Sequence, residues 1–217
     1  MKDNTKDGTG QKAMPLRLLS YFGGLLIMTM GIAISVKSNL GVSPVSSIPY
    51  TMTCIWGIEM GKATILFHAA LVLMQIAILR KNFQWKNLLQ VVIGVVFGYF
   101  TTFCNHLMTY FPAVDNLAIR LLMMWISTVL IAVGLFLYVP ANFVPLAGEG
   151  AMLAIAQVSK IPFSTVKIIF DSSMVAISLV TCLICIHSLG SVGIGTIVAA
   201  VLVGAELKLI QRIFGRE

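Results

Sequence analysis

Asn39-Leu-Gly-Val-Ser-Pro-Val-Ser-Ser-Ile-Pro-Tyr50 breaks an otherwise apolar sequence, and its reading decides the fold. Before it, Leu18 to Val36 is a continuous apolar run of about nineteen residues, which at about 1.5 Å of rise each crosses a hydrocarbon layer of about 30 Å as a helix. After it, apolar sequence continues only to Ile58. That remnant is too short to cross, and Pro44 and Pro49 remove backbone donors near its start. Residues 40–58 therefore read as a half-helix or re-entrant segment between two true crossings.

Outward from this stretch the pattern continues. Lys62 to Leu79 is a second crossing and Asn87 to Tyr110 a third, with Phe111-Pro-Ala-Val-Asp-Asn116 turning the chain. After a fourth crossing, Ile119 to Val139, Pro140-Ala-Asn-Phe-Val-Pro-Leu-Ala-Gly-Glu-Gly150 and a short apolar stretch to Val158 repeat the broken character. Phe163 to Ile186 and Ser191 to Leu207 complete the series. The sequence thus predicts an all-α membrane protein with six transmembrane helices and two short broken or re-entrant segments. Composition demands such a fold: of 217 residues 58% are hydrophobic and 11% charged, and the mean hydropathy is +0.95. Hydrocarbon offers the backbone no hydrogen-bond partners, so only helices or a closed barrel span it, and these runs are too long for barrel strands.

The net charge of +7 raises nucleic acid as a partner. No basic stripe or aromatic stacking pattern accompanies it, so nucleic acid is excluded and the lipid bilayer is the expected partner. Lys2, Lys6, Lys12 and Arg17 precede the first crossing, Arg80, Lys81 and Lys86 follow the second, and Lys208, Arg212 and Arg216 follow the sixth. Six crossings put all three groups on one face, the cytoplasmic one by the positive-inside tendency. Were the short segments also crossings, the Arg80–Lys86 loop would change sides. Both termini are accordingly expected in the cytoplasm, with residues 1–15 as a disordered tail and 210–217 as a second tail. Cys54, Cys104, Cys182 and Cys185 all lie in apolar sequence and read as packing residues; Cys182-Leu-Ile-Cys185 has metal-like spacing but no further cluster to complete it.

The order of crossing, broken segment, crossing, crossing occurs twice, over 16–110 and 119–209, joined by 111–118. A shift of 103 positions matches Gly31 with Gly134, Val36 with Val139, Asn39 with Asn142, Ile65 with Ile168 and Phe67 with Phe170, and sets His68 opposite Asp171. An odd number of crossings inverts the second copy, so two inverted three-span repeats are predicted. In secondary transporters of that architecture broken helices meet near the midplane and present their N-termini to a solute.

Gly31-Ile-Ala-Ile-Ser-Val-Lys-Ser-Asn-Leu-Gly-Val-Ser-Pro-Val-Ser-Ser-Ile-Pro49, with Pro145-Leu-Ala-Gly-Glu-Gly150, resembles the YczE/YyaS/YitT family of bacterial integral membrane proteins over roughly residues 15 to 210. Its most specific part is Asn39-Leu-Gly-Val-Ser-Pro44. The resemblance implies a bacterial inner-membrane protein with a transport function and names no substrate.

Several residues are candidates for chemistry. An acid inside a span, as at Asp171, is paired or faces a cavity, and Lys167 stands one helical turn away; the two are either a structural ion pair or a coupling site. His68 is a candidate proton carrier or an interhelical hydrogen-bonding residue. Glu149, between Gly148 and Gly150, stands at the start of the second half-helix, to bind a cation or proton or to cap the helix. Ser43, Ser46 and Ser47 around Pro44, with Gly41, are candidates to contact an anion or simply to start a helix. Asn39 and Asn142 are expected to bond the opposite broken segment or to contact the solute. Glu206 and Asn105-His106 are expected toward the interfaces. No motif for a cofactor, a metal or an enzyme's catalytic centre is present.

The leading expectation is a secondary transporter of a small solute, an anion by the helix-terminus argument, working by alternating access with proton coupling through Asp171, His68 or Glu149. A substrate-binding membrane subunit that depends on a partner, and a non-transporting scaffold or regulator, are the other readings. A homo-oligomer is compatible with all three.

Overall fold

The computed structural model describes residues 14–214, and the expected N-terminal tail over 1–13, with Lys2, Lys6 and Lys12, lies outside them, as does Arg216. The described residues form eight α-helices: α1 (Met14–Ser38), α2 (Pro44–Trp56), α3 (Met60–Leu79), α4 (Leu89–Thr109), α5 (Leu117–Tyr138), α6 (Ala147–Ser159), α7 (Phe163–Ile186) and α8 (Ile194–Ile213). Six are long and apolar enough to cross a membrane; α2 and α6, of 13 residues each, are the exceptions. At about 1.5 Å per residue each of these two reaches about 20 Å, two-thirds of a hydrocarbon layer.

Local chemistry sets the ends of the short helices. Pro44 opens α2 at a position where a missing N–H costs nothing, and Gly57 closes it in the left-handed region at φ 64°, its N–H returning to Thr53 O. Lys160 closes α6 in the same conformation at φ 58°. Asn39 at φ 52° and Asn142 at φ 51° make the turns that lead into the two segments; a short polar side chain tolerates this region better than most.

Both segments are re-entrant. Beyond Asn39 the chain doubles back beside α1, where the Ser35 hydroxyl donates to Gly41 O at 2.8 Å. The start of α8 holds it from the other side, through Gly195 N–H to Leu40 O at 2.7 Å. The helix α2 then begins level with the middle of α7, where Ser47 accepts from the Ser178 hydroxyl at 2.8 Å, and climbs until Thr51 meets Ser191 at 2.6 Å. The approach to α6 is held by the Tyr21 hydroxyl, which donates to Val144 O at 2.6 Å, and its first turn by Gln75, which donates to Ala147 O at 3.2 Å.

At the centre α1 crosses α5 backbone to backbone. A β-carbon on Gly24 would stand 2.7 Å from Gly134 O, and one on Gly134 would stand 2.7 Å from Gly24 O. Tyr21, Leu25, Met28, Ile32, Ile131 and Tyr138 fill the core around the crossing. Around this pair α4 packs on α1, α8 on α5, α7 on α2 and α3 on α6. Consecutive α3 and α4 are also tightly joined, Gly61 and Gly98 each facing the other's carbonyl, whereas α7 and α8 scarcely touch among the described residues.

Arg17 donates to Ala141 O at 2.9 Å, and the Phe136 and Phe214 rings lie 5.4 Å apart, so the start of α1 and the ends of α5 and α8 share one face. Several expectations need correction. The first helix begins at Met14, before Leu18, and the last reaches Ile213, so residues 210–213 are helix and not tail. Glu206 faces α5 instead of an interface, accepting from Thr128 at 3.1 Å, because α8 packs along α5 at that level. Cys104 and Cys182 are buried, but Cys185 lies on the exposed side of α7.

The glycine crossing yields a paired test in thermal unfolding of the purified protein. Gly24→Ala drives a methyl into the opposing backbone and should cost about 1–3 kcal/mol. Gly23→Ala meets nothing within 4 Å and should be neutral or stabilising by up to about 1 kcal/mol.

Candidate functional site

A cavity of about 240 Å³ lies where the two half-helices point toward each other. Ser43 and Ser46 of the α2 start and Gly148 and Glu149 of the α6 start line it. From the sides His68 of α3 and Lys167 and Asp171 of α7 complete the polar wall. The rest is apolar, with Met28, Ile32 and Ile131 from the central crossing and Met60 and Phe97 from the α3–α4 pair.

Each polar group has a defined state of pairing. The Tyr138 hydroxyl donates to Glu149 Oε2 at 2.8 Å and accepts from Leu146 N–H at 2.6 Å, tying the carboxylate to the start of its own helix. Lys167 Nζ donates to Asp171 Oδ2 at 2.8 Å, one helical turn away. Asp171 Oδ1 is buried with no partner among the described residues. His68 is 4% exposed, its ring stacked 5.5 Å from Phe97, and its Nδ1 has no partner either and sits beside Gly94. The hydroxyls of Thr64 and Thr101 are used within their own helices, on Met60 O and Phe97 O. Glu59, Gly61 and Gly98 do not line the cavity; Glu59 is exposed at the start of α3, where the Thr102 hydroxyl and the Lys62 ammonium hold its carboxyl below the ordinary range.

Seven of the residues singled out from sequence meet in the cavity: Ser43, Ser46, Gly148 and Glu149, with His68, Lys167 and Asp171. The others do not line it. Ser47 is held by Pro44 O, Met174 O and Ser178 and joins α2 to α7. Gly41 at φ 108° lets the re-entrant strand approach Gly193 and Thr196, and Gly150 makes room for the Gln75–Gln90 pair. Asn39 and Asn142 are exposed at their turns, and neither side chain bonds the opposite segment. Tyr138 escapes the sequence reading: an aromatic near the end of a span reads as an interfacial anchor, and only the re-entrant fold turns it onto Glu149.

Among the described residues no group of His, Cys, Asp and Glu is arranged to hold a metal ion. What the geometry defines is a multi-span helical membrane protein with two re-entrant half-helices whose starts meet at a largely apolar cavity bearing a few polar groups. The chain belongs to the family of unknown function DUF6198, whose profile matches residues 15–212. Among curated proteins it is similar to the uncharacterized membrane protein YczE of Bacillus subtilis (strain 168), 24% identical over 200 residues that cover 91% of this chain and 86% of the relative. It is also similar to the uncharacterized protein YyaS of the same organism, 25% identical over 202 residues covering 90% and 93%. No solved structure matches the chain.

The Tyr138–Glu149 contact is separable from the charge it holds. Tyr138→Phe removes the donor to Glu149 and the acceptor of Leu146 N–H and should lower stability by about 1–3 kcal/mol. Glu149→Gln, which still accepts from the hydroxyl, should unfold within about 1 kcal/mol of the parent in the same thermal assay.

Proposed function

We propose that this protein is a secondary transporter of a small solute that works by alternating access of two inverted halves around the cavity. The observation that carries this reading is the composition of the cavity wall. Residues 103 positions apart line it from opposite sides: Met28 with Ile131, Ile32 with Leu135, His68 with Asp171. The same interval relates the left-handed turns at Asn39 and Asn142, the helix ends at Gly57 and Lys160, and the starts of α3 and α7. The α1–α5 crossing agrees as well, since a β-carbon on Gly31 would stand 2.8 Å from Ser127 O as one on Gly134 would stand 2.7 Å from Gly24 O. A solute site on the axis relating two such halves meets both of them equally in either orientation.

The departures from equivalence support the same reading. The α3–α4 pair is closed while the corresponding α7–α8 pair is apart, as expected of one end-state in which only one side of the site is sealed. Lys167, half-exposed, lies on the open side. Exchange of the two arrangements would seal α7 on α8, release α3 from α4 and expose the site to the opposite face. Arg17, Arg80, Lys81, Lys86 and Arg212 gather on the face toward which the site is open. The positive-inside tendency makes that face cytoplasmic and puts both termini there, in the inner membrane of a bacterium. Asp171, His68 and Glu149 are the groups available for proton coupling. A partner-dependent binding subunit would need no such equivalence, and a scaffold would need no buried charge.

Alternating access is testable without a known solute. Ser46→Cys is placed in a variant whose four native cysteines are replaced, and an impermeant thiol reagent is applied to each face of sealed vesicles. The expected result is labelling from both faces, more readily from the cytoplasmic one. Labelling confined to one face, or absent from both, rejects the proposal.

A further inference from the structure

We infer that the cavity takes a small zwitterion with an apolar body, its anionic group at the start of α2 and its cationic group on Asp171 and Glu149. This assignment deepens the transport reading above and rests on it. It replaces the simple anion expected from sequence by a ligand with both charges.

The two half-helix N-termini look alike in outline and differ in what they already hold. In α6 the first turn carries its own acid, Glu149, so the positive end of that helix is occupied from within. At the equivalent position α2 carries Ser46; its first turn has no acid and no side-chain cap. Ser43 donates its proton to Ser46 Oγ at 3.0 Å, which leaves the Ser46 proton free to be given away. The start of α2 therefore offers the Ser46 proton and the partial positive charge of the helix end with no anion of the protein's own, although Pro44 has no N–H and the Ser46 N–H already returns to Ser43 O at 3.0 Å.

On the facing wall the imbalance has the opposite sign. Two carboxylates, Glu149 and Asp171, face the cavity against a single ammonium, Lys167, which is engaged with Asp171 Oδ2. Asp171 Oδ1 remains a buried acceptor without a donor among the described residues. The remaining titratable group of the wall is His68, buried and unpaired at Nδ1, and the Thr64 and Thr101 hydroxyls are already used. A ligand ammonium placed there supplies the donor that Asp171 Oδ1 lacks. Met28, Ile32, Met60, Phe97 and Ile131 leave the space between the two polar ends apolar. Its volume of about 240 Å³ is below the usual range of about 300–1,000 Å³ for drug-sized ligands and suits a molecule of amino-acid size.

A ligand with one charge satisfies only half of this wall. A lone anion leaves Asp171 Oδ1 unpaired, and a lone cation leaves the α2 terminus facing a like charge; each loss is expected to weaken binding about tenfold or more. The test uses the purified full-length protein and follows thermal stabilisation, which reports ligand binding to the folded state. The probes are alanine, leucine and phenylalanine, each compared with its analogue lacking the amino group and its analogue lacking the carboxyl group. The expected result is that at least one amino acid stabilises the protein, with both of its analogues about tenfold weaker or more. Asp171→Asn should then weaken the amino acid and leave the carboxylate analogue unchanged, the unliganded variant's own melting temperature reporting whether it is folded. Equal stabilisation by either single-charge analogue overturns the inference. So does a lack of stabilisation by every zwitterion; if Ser46→Cys is nevertheless labelled from both faces, the solute class alone has failed and the transport reading stands.

Discussion

Everything in this fold follows from the fact that hydrocarbon cannot hydrogen-bond a peptide group. A full-length helix meets that constraint by itself, but a helix that stops halfway leaves a turn of N–H groups and a stretch of extended chain to be satisfied by other residues. Here those obligations are met by protein on all sides. Ser35, Gly195 and Ser191 hold the strand entering α2, while Tyr21, Gln75 and Tyr138 hold the approach to α6 and its first turn. The buried polar side chains of this structure are in large part the fittings that allow two interruptions to exist at membrane depth. Among the described residues these fittings leave four buried polar atoms unmet: His68 Nδ1 and Asp171 Oδ1 belong to residues lining the cavity, and Ser127 Oγ and Glu206 Oε2 lie on α5 and α8 outside it.

The sequence carried the outline of this arrangement with little ambiguity. Long apolar runs have one solution in lipid, and Pro44 stands at the restart after the first interruption, whereas Pro49, which also reads as a breaker in the sequence, lies inside α2. The polar members of the cavity were legible for the same reason, since Glu149, Lys167, Asp171 and His68 are expensive within spans and invite an explanation. Less legible were residues whose role is conformational. Asn39 and Asn142 stand in polar, broken sequence and look like ligands, yet each is a left-handed turn with its side chain exposed. Gly41 and Gly150 look like places where a ligand could approach, and what approaches them is the start of α8 and the Gln75–Gln90 pair. Composition cannot distinguish a glycine that admits a ligand from one that admits a neighbouring helix. Tyr138 lies beyond sequence reasoning altogether, because its partner is eleven residues away across a reversal of the chain.

The asymmetry between the halves is as informative as their likeness. Where one half offers Ser46 the other has Glu149, and where one has His68 the other has Asp171. These unlike pairs set the polarity of the cavity: hydroxyls at the start of α2, and two acids with one lysine on the α6 and α7 side.

The close crossing of α1 and α5 has a mechanical meaning as well as an energetic one. Where backbones touch through glycine nothing separates the two helices, and Met28, Ile131 and Tyr138 close around the contact. Beyond Gly24 α1 runs on for fourteen residues to Ser38, about 21 Å, and α5 has run seventeen residues from Leu117, about 26 Å, when it reaches Gly134. A change of about 10° in the crossing angle would displace those far ends by about 4 Å. Glycines that cannot take a methyl group without displacing backbone thus set how closely the two central helices cross.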